Sequence, residues 1–121
     1  MNYSLTLDDI NSLRNVQNKL YGQAKEMGWH SKPREIGTMI ALCHSELSEA
    51  LEGARKDLMD DHLTNRKMVE VELADCVIRI FDLAGREGFD IASAIAEKHN
   101  YNAKRSDHQL KNRMADGGKS F

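Results

Sequence analysis

The sequence predicts an all-α fold, a four-helix bundle-like protomer with a polar C-terminal tail, and three observations carry that expectation. Apolar residues recur at three- and four-residue spacing through four long segments, there is a single proline, and strand-like runs are scarce. At 121 residues, with 17 basic and 19 acidic side chains and a net charge of −2, the chain has the length of one domain. It lacks the basic excess of a general nucleic-acid binder. No apolar run approaches the roughly 20 residues of a membrane span, and the N-terminus shows no signal-peptide apolar region. Cys43 and Cys76, far apart in helical patterns, read as reduced thiols in a cytoplasm.

Each element has its own signals. Thr6 caps a first helix that runs to Met27, with Asp8 and Asp9 in its acidic first turn and Gly28 as its stop. Pro33 suits the first position of a second helix that continues to Lys56. On it Ile36, Ile40, Cys43, Leu47, Ala50 and Leu51 fall in one narrow sector. Thr64 or Asn65 caps a third helix from about Arg66 to Glu87, ended by Gly88, and Asp90 caps a fourth from Ile91 to about Lys104. From Ser106 the chain turns polar, so residues 106–121 read as a flexible tail behind a helical domain of residues 1–105.

The third helix is apolar on two sides. Val69, Leu73, Cys76, Ile80 and Ala84 form one stripe, while Val71, Ile78 and Phe81 spread over the opposite side. One four-helix chain covers one such face, so a homodimer or homotetramer is expected.

Two acidic pairs carry the chemistry. Glu46 and Glu49 lie three apart on the second helix, and Glu72 and Asp75 repeat that spacing on the third. If the helices pack antiparallel, four carboxylates meet beside the core, where mutual repulsion and lost hydration are costly. A divalent cation removes that cost, and hard oxygen donors suit Mg²⁺, with Mn²⁺ as a substitute, better than zinc. Mg²⁺ keeps waters and contacts phosphates, which points to phosphate chemistry. Arg79, one turn beyond Asp75, is its expected ion-pair partner. His44 lies about 160° from Glu46 around the helix and is no ligand.

The run from Ile40 to Glu52, with Ser45-Glu46-Leu47-Ser48-Glu49, followed by Glu72-Leu73-Ala74-Asp75, resembles the MazG-like nucleoside triphosphate pyrophosphohydrolases. Their mark is E-E-x-x-E and then E-x-x-D. Gly28-Trp29, Lys32-Pro33-Arg34, the segment from Lys98 to Arg105 and the Gly-Gly-Lys tail extend the likeness. The resemblance implies an all-α fold that dimerises or tetramerises. It also implies Mg²⁺ on Glu46, Glu49, Glu72 and Asp75, and hydrolysis of nucleoside triphosphates between the α and β phosphates. Carried over by position, Lys98, Asn102 and Arg105 would hold phosphate or sugar. The first glutamate of the motif falls on Ser45, which supplies no carboxylate, so either Glu46 or Glu49 activates water.

Beside that reading, Trp29 can stack on a base or pack over the core, and Lys32 and Arg34 can reach phosphate or decorate a helix start. A ferritin-like di-metal oxidase is a weak alternative, because no histidine has a glutamate three residues before it. A non-catalytic helical oligomerisation module, or a nucleotide sensor that has lost turnover through Ser45, stays open.

Overall fold

A computed structural model describes residues 2–105, 110–115 and 117–118. The protein is all-helical: α1 (Leu7–Glu26), α2 (Ile36–Lys56), α3 (Met68–Glu87), α4 (Ile91–Lys104) and a short α5 (Leu110–Arg113). Among the described residues the only strand-like pairing is an isolated antiparallel bridge between Met59 and Lys67. Among the described residues no helix is long and apolar enough to cross a membrane. The expected tail lies partly outside the described residues; Lys119 and His108 are among those not described. The chain divides into two compact units, one of Val16–Phe89 and one of Met1–Asn15 with Asp90–Phe121.

In the unit of Val16–Phe89, α2 and α3 form an antiparallel hairpin. Arg79 reaches Glu46, the Cys76 thiol approaches the Cys43 carbonyl, and Met68 meets Gly53, so numbers fall on one helix as they rise on the other. A Cβ at Gly53 would lie 2.8 Å from the Met68 side chain, so a glycine is what lets the two ends close. Gly85 plays the same part against Tyr21 of α1, where an added Cβ would meet the ring at 2.5 Å. Met39, Ala50, Cys76, Phe81 and Ala84 are the buried apolar residues of this unit.

Two helix starts differ from the sequence expectation. α2 begins at Ile36, not Pro33, because the Glu35 carboxylate accepts from the amides of Gly37 and Thr38, both at 2.8 Å. Those contacts also hold Glu35 below the usual carboxylate range. α3 begins at Met68, behind Lys67 rather than Thr64 or Asn65. Residues 57–67 are held as a structured connector: Asp60 N–H donates to Arg66 C=O and Met68 N–H to Leu58 C=O, both at 2.9 Å. Asp57 adopts the left-handed conformation that ends α2, and its carboxylate pairs with Lys67. Gly88 ends α3 in the same left-handed way, as expected.

The hairpin leaves one apolar face uncovered. Ile36, Ile40, Leu47 and Leu51 of α2 occupy a sector about 60° wide, next to the buried sector of Met39, Glu46, Ala50 and Gly53. Leu73, Val77 and Ile80 of α3 lie on the matching side. These seven residues are 39–61% exposed. The stripe expected along α3 is therefore divided: Cys76 and Ala84 are buried, whereas Leu73 and Ile80 are open.

In the other unit, Thr6 and Asp9 cap α1 reciprocally, with Asp9 N–H donating to Thr6 Oγ1 at 3.1 Å and Thr6 N–H to Asp9 Oδ2 at 2.8 Å. Asp90 caps α4 by accepting from Ser93 N–H. Arg14 grips the same carboxylate with two nitrogens, at 3.2 and 2.8 Å. Ala92 and Ala96 are the buried apolar residues of α4.

Candidate functional site

The hairpin register brings three of the four predicted carboxylates together. Glu46 of α2 and Glu72 and Asp75 of α3 each offer an oxygen, and the three oxygens lie within 4.8 Å of one another. Glu46 and Glu72 are buried and Asp75 is half-buried. Glu49, one turn on from Glu46, is exposed; it lines the same cavity of about 740 Å³ but stands outside that triangle.

Charge inside the triangle is only partly compensated. Arg79 Nε donates to Glu46 Oε1 at 2.8 Å across the hairpin. This corrects the expectation that Arg79 pairs with Asp75: the two share a helix, but the antiparallel register turns the guanidinium towards α2. Burial raises the Glu46 carboxyl, but the hydrogen bond from Arg79 leads the opposing contributions and leaves it below its ordinary value. Glu72 has no such partner. Its Oε2 is buried and takes no hydrogen bond. Burial first, then its neighbours Glu46 and Glu49, push this carboxyl up to about 8. Burial and the charge of Glu46 also raise Asp75.

A cation fits this donor set. Three hard oxygens converge, and one buried oxygen lacks any donor, an arrangement that a proton or a divalent cation relieves. No histidine or cysteine joins the triangle, which disfavours zinc.

The connector adds a carboxylate that sequence reasoning missed. Asp60 is buried at the cavity wall and accepts from the amides of Leu63 (2.7 Å) and His62 (3.0 Å). Those amide contacts, led by Leu63, lower its carboxyl, and its charge helps to raise Asp75. The available signal was an aspartate two and three residues before main-chain donors in a turn.

A second cavity, of about 500 Å³, shares Glu46 and Asp75 with the first. Leu20, Ala24, Met27, Trp29, Leu42 and Ile78 give it apolar walls. Trp29 is 64% exposed, so it does not pack over the core. Lys32 is exposed on the connector before α2 and lines neither cavity. Arg34 lines the second cavity, with Nη1 3.7 Å from Asp82 Oδ2. His30, which no sequence pattern marks as a ligand, is half-buried with its side chain enclosed: its Nε2 lies 2.7 Å from Asp82 Oδ1, and Arg86 donates to its Nδ1 at 3.2 Å.

Lys98, Asn102 and Arg105 belong to the other unit, along α4 and its C-cap. Lys98 Nζ stands 4.7 Å and Arg105 Cζ 6.0 Å from the centroid of the exposed Tyr101 ring. The Asn102 carboxamide oxygen is buried and has no donor among the described residues. Compared with known proteins, the chain matches no family model, no curated protein and no solved structure.

Proposed function

We propose that the protein is a MazG-like, Mg²⁺-dependent nucleoside triphosphate pyrophosphohydrolase of the cytoplasm, cleaving its substrate to a nucleoside monophosphate and pyrophosphate. The observation that carries this reading is the carboxylate triangle of Glu46, Glu72 and Asp75, one of whose residues, Glu72, has a buried oxygen with no hydrogen-bond partner among the described residues. Mg²⁺, or Mn²⁺ in its place, would be held by these three residues with Glu49 beside them. When bound it supplies charge neutralisation for the triphosphate and activation of water.

The chain's own residues do the rest. Arg79 fixes one oxygen of Glu46, so Glu46 keeps its charge and orientation. Glu49, exposed and lining the cavity, takes the proton from the attacking water. Water oxygen then bonds to the α phosphorus in line as the bond to the bridging oxygen breaks, and pyrophosphate departs. Ser45 takes no part: its hydroxyl donates to the Leu42 carbonyl of its own helix at 2.8 Å. Trp29 lines the second cavity and is 64% exposed, which supports a role in stacking on the base. For Lys98, Asn102 and Arg105 the reading rests on the family resemblance alone, which implies phosphate or sugar contacts for them.

The uncovered face of the hairpin supports a homodimer or homotetramer, since seven exposed aliphatic side chains on one face call for a second copy. The same face favours a second reading, a non-catalytic oligomerisation module. Pyrophosphate release from a panel of ribo- and deoxyribonucleoside triphosphates, with Mg²⁺ or Mn²⁺, separates the two. Turnover is expected in the parent and is expected to vanish in Glu46→Gln and Asp75→Asn with helicity kept. Full activity in either variant refutes the site.

A further inference from the structure

The second cavity holds a charged side chain that the reaction does not use. Asp82 lies seven residues beyond Asp75, which places it two turns and about 10 Å further along the α3 axis. That is on the scale of a nucleoside's reach from its 5′ oxygen to the far edge of its base. Glu46, Asp75 and Asp82 all line this cavity, together with the apolar side chains of Trp29 and Met27.

The Asp82 carboxylate is fixed from behind. Arg86 can only donate, so the Nδ1 of His30 accepts and its Nε2 carries the hydrogen. That hydrogen is donated to Asp82 Oδ1 at 2.7 Å. The His30 side chain is 4% exposed and its ring is held edge-on by Tyr21, 5.1 Å away between centroids. Asp82 Oδ2 takes no hydrogen bond among the described residues, for the nearest cation, Arg34 Nη1, is 3.7 Å distant. An ionised carboxylate accepts and never donates, so a group that faces Oδ2 must bring a hydrogen.

Resting on the pyrophosphohydrolase reading for the substrate's orientation, we infer that Asp82 selects nucleotides whose base carries an amino group at its far edge, cytosine or adenine. Uracil, thymine, guanine and hypoxanthine present an oxo group at the equivalent position, and its lone pairs oppose those of Oδ2. A site shaped for a hydrogen-bond donor rejects the analogue that lacks it, because the lone pairs of Oδ2 are then left facing those of the oxo group with no hydrogen between them. His30 and Arg86 act as positioning residues for Asp82.

The test pairs bases that differ at that position. Binding of dCMP against dUMP, and of dAMP against dIMP, is measured by calorimetry with Mg²⁺, alongside hydrolysis of the corresponding triphosphates. The amino member of each pair is expected to bind roughly tenfold or more tightly, the worth of a hydrogen bond to a charged group. In Asp82→Asn, whose amide can donate, the preference is expected to fall towards unity. Equal binding within both pairs by the parent protein overturns the inference, as does an unchanged preference in D82N. If no triphosphate is hydrolysed yet the amino preference and its loss in D82N are seen, the base selection stands and the hydrolase reading fails. Hydrolysis without preference does the reverse: the hydrolase reading stands and the base selection fails. Failure to bind any of the four monophosphates rejects the inference.

Discussion

Removing the charge of Glu72 tests the electrostatics of the site most directly. Its carboxyl is raised from an ordinary 4.5 to about 8 in the folded chain. Below the ordinary value the group is protonated folded and unfolded, and its contribution to stability is fully present. As pH climbs through 8 the unfolded chain has already ionised, the folded one must follow against burial and two neighbouring carboxylates, and the contribution is lost. Asp75, also raised, acts in the same sense. Glu46 is lowered, so its contribution is lost only as pH falls below its ordinary value. For a side chain this buried, the decline from pH 5 to pH 8.5 is on the order of a few kcal/mol, or roughly 10 °C in melting temperature. Thermal melts with chelator present should show that fall in the parent protein. Glu72→Gln, which carries no charge at any pH, should flatten it. Millimolar Mg²⁺ should restore the parent at pH 8 and leave the variant unmoved. A parent whose melting temperature is level over this range, or a variant that falls as steeply, would mean that Glu72 does not carry this electrostatic load.

Other outcomes follow from packing and surface. Gly53→Ala drives a methyl into Met68 where α2 and α3 converge, and is expected to cost about 1–3 kcal/mol by urea unfolding; a neutral effect would show that the hairpin ends do not close as described. Leu47→Glu with Leu73→Glu puts charge on the uncovered face and should convert an oligomer to monomer in sedimentation experiments, whereas an unchanged mass would assign the interface elsewhere. Arg14→Ala removes an exposed two-point grip on Asp90, which water and salt screen, and should leave the melting temperature nearly unchanged. A clear drop there would mean that α4 depends on more than its cap.

The fold class and most helix ends were legible because local chemistry decides them. Thr6 and Asp9, Gly88 and Asp90 act within a few residues of themselves, and each does in the structure what its residue type suggests. Pro33 misled because its fixed φ only permits a helix start, while the Glu35 carboxylate holds two amides and sets one. The acidic pairs were visible as spacing, yet their inequality was not. Which oxygen Arg79 takes depends on the register between α2 and α3, a relation no single helix encodes. The enclosure of the His30 side chain and the turn that aims Asp60 at the cavity are likewise tertiary, and neither residue sits in a periodic pattern that would announce it.

Both arms of the α2–α3 hairpin, its connector and the arginine that restrains Glu46 come from one continuous stretch of chain. Contacts so close in sequence form with little loop-closure entropy. The anionic nest can therefore take shape early in folding, before the chain's termini have found their places. It is also the piece an engineer would transplant first.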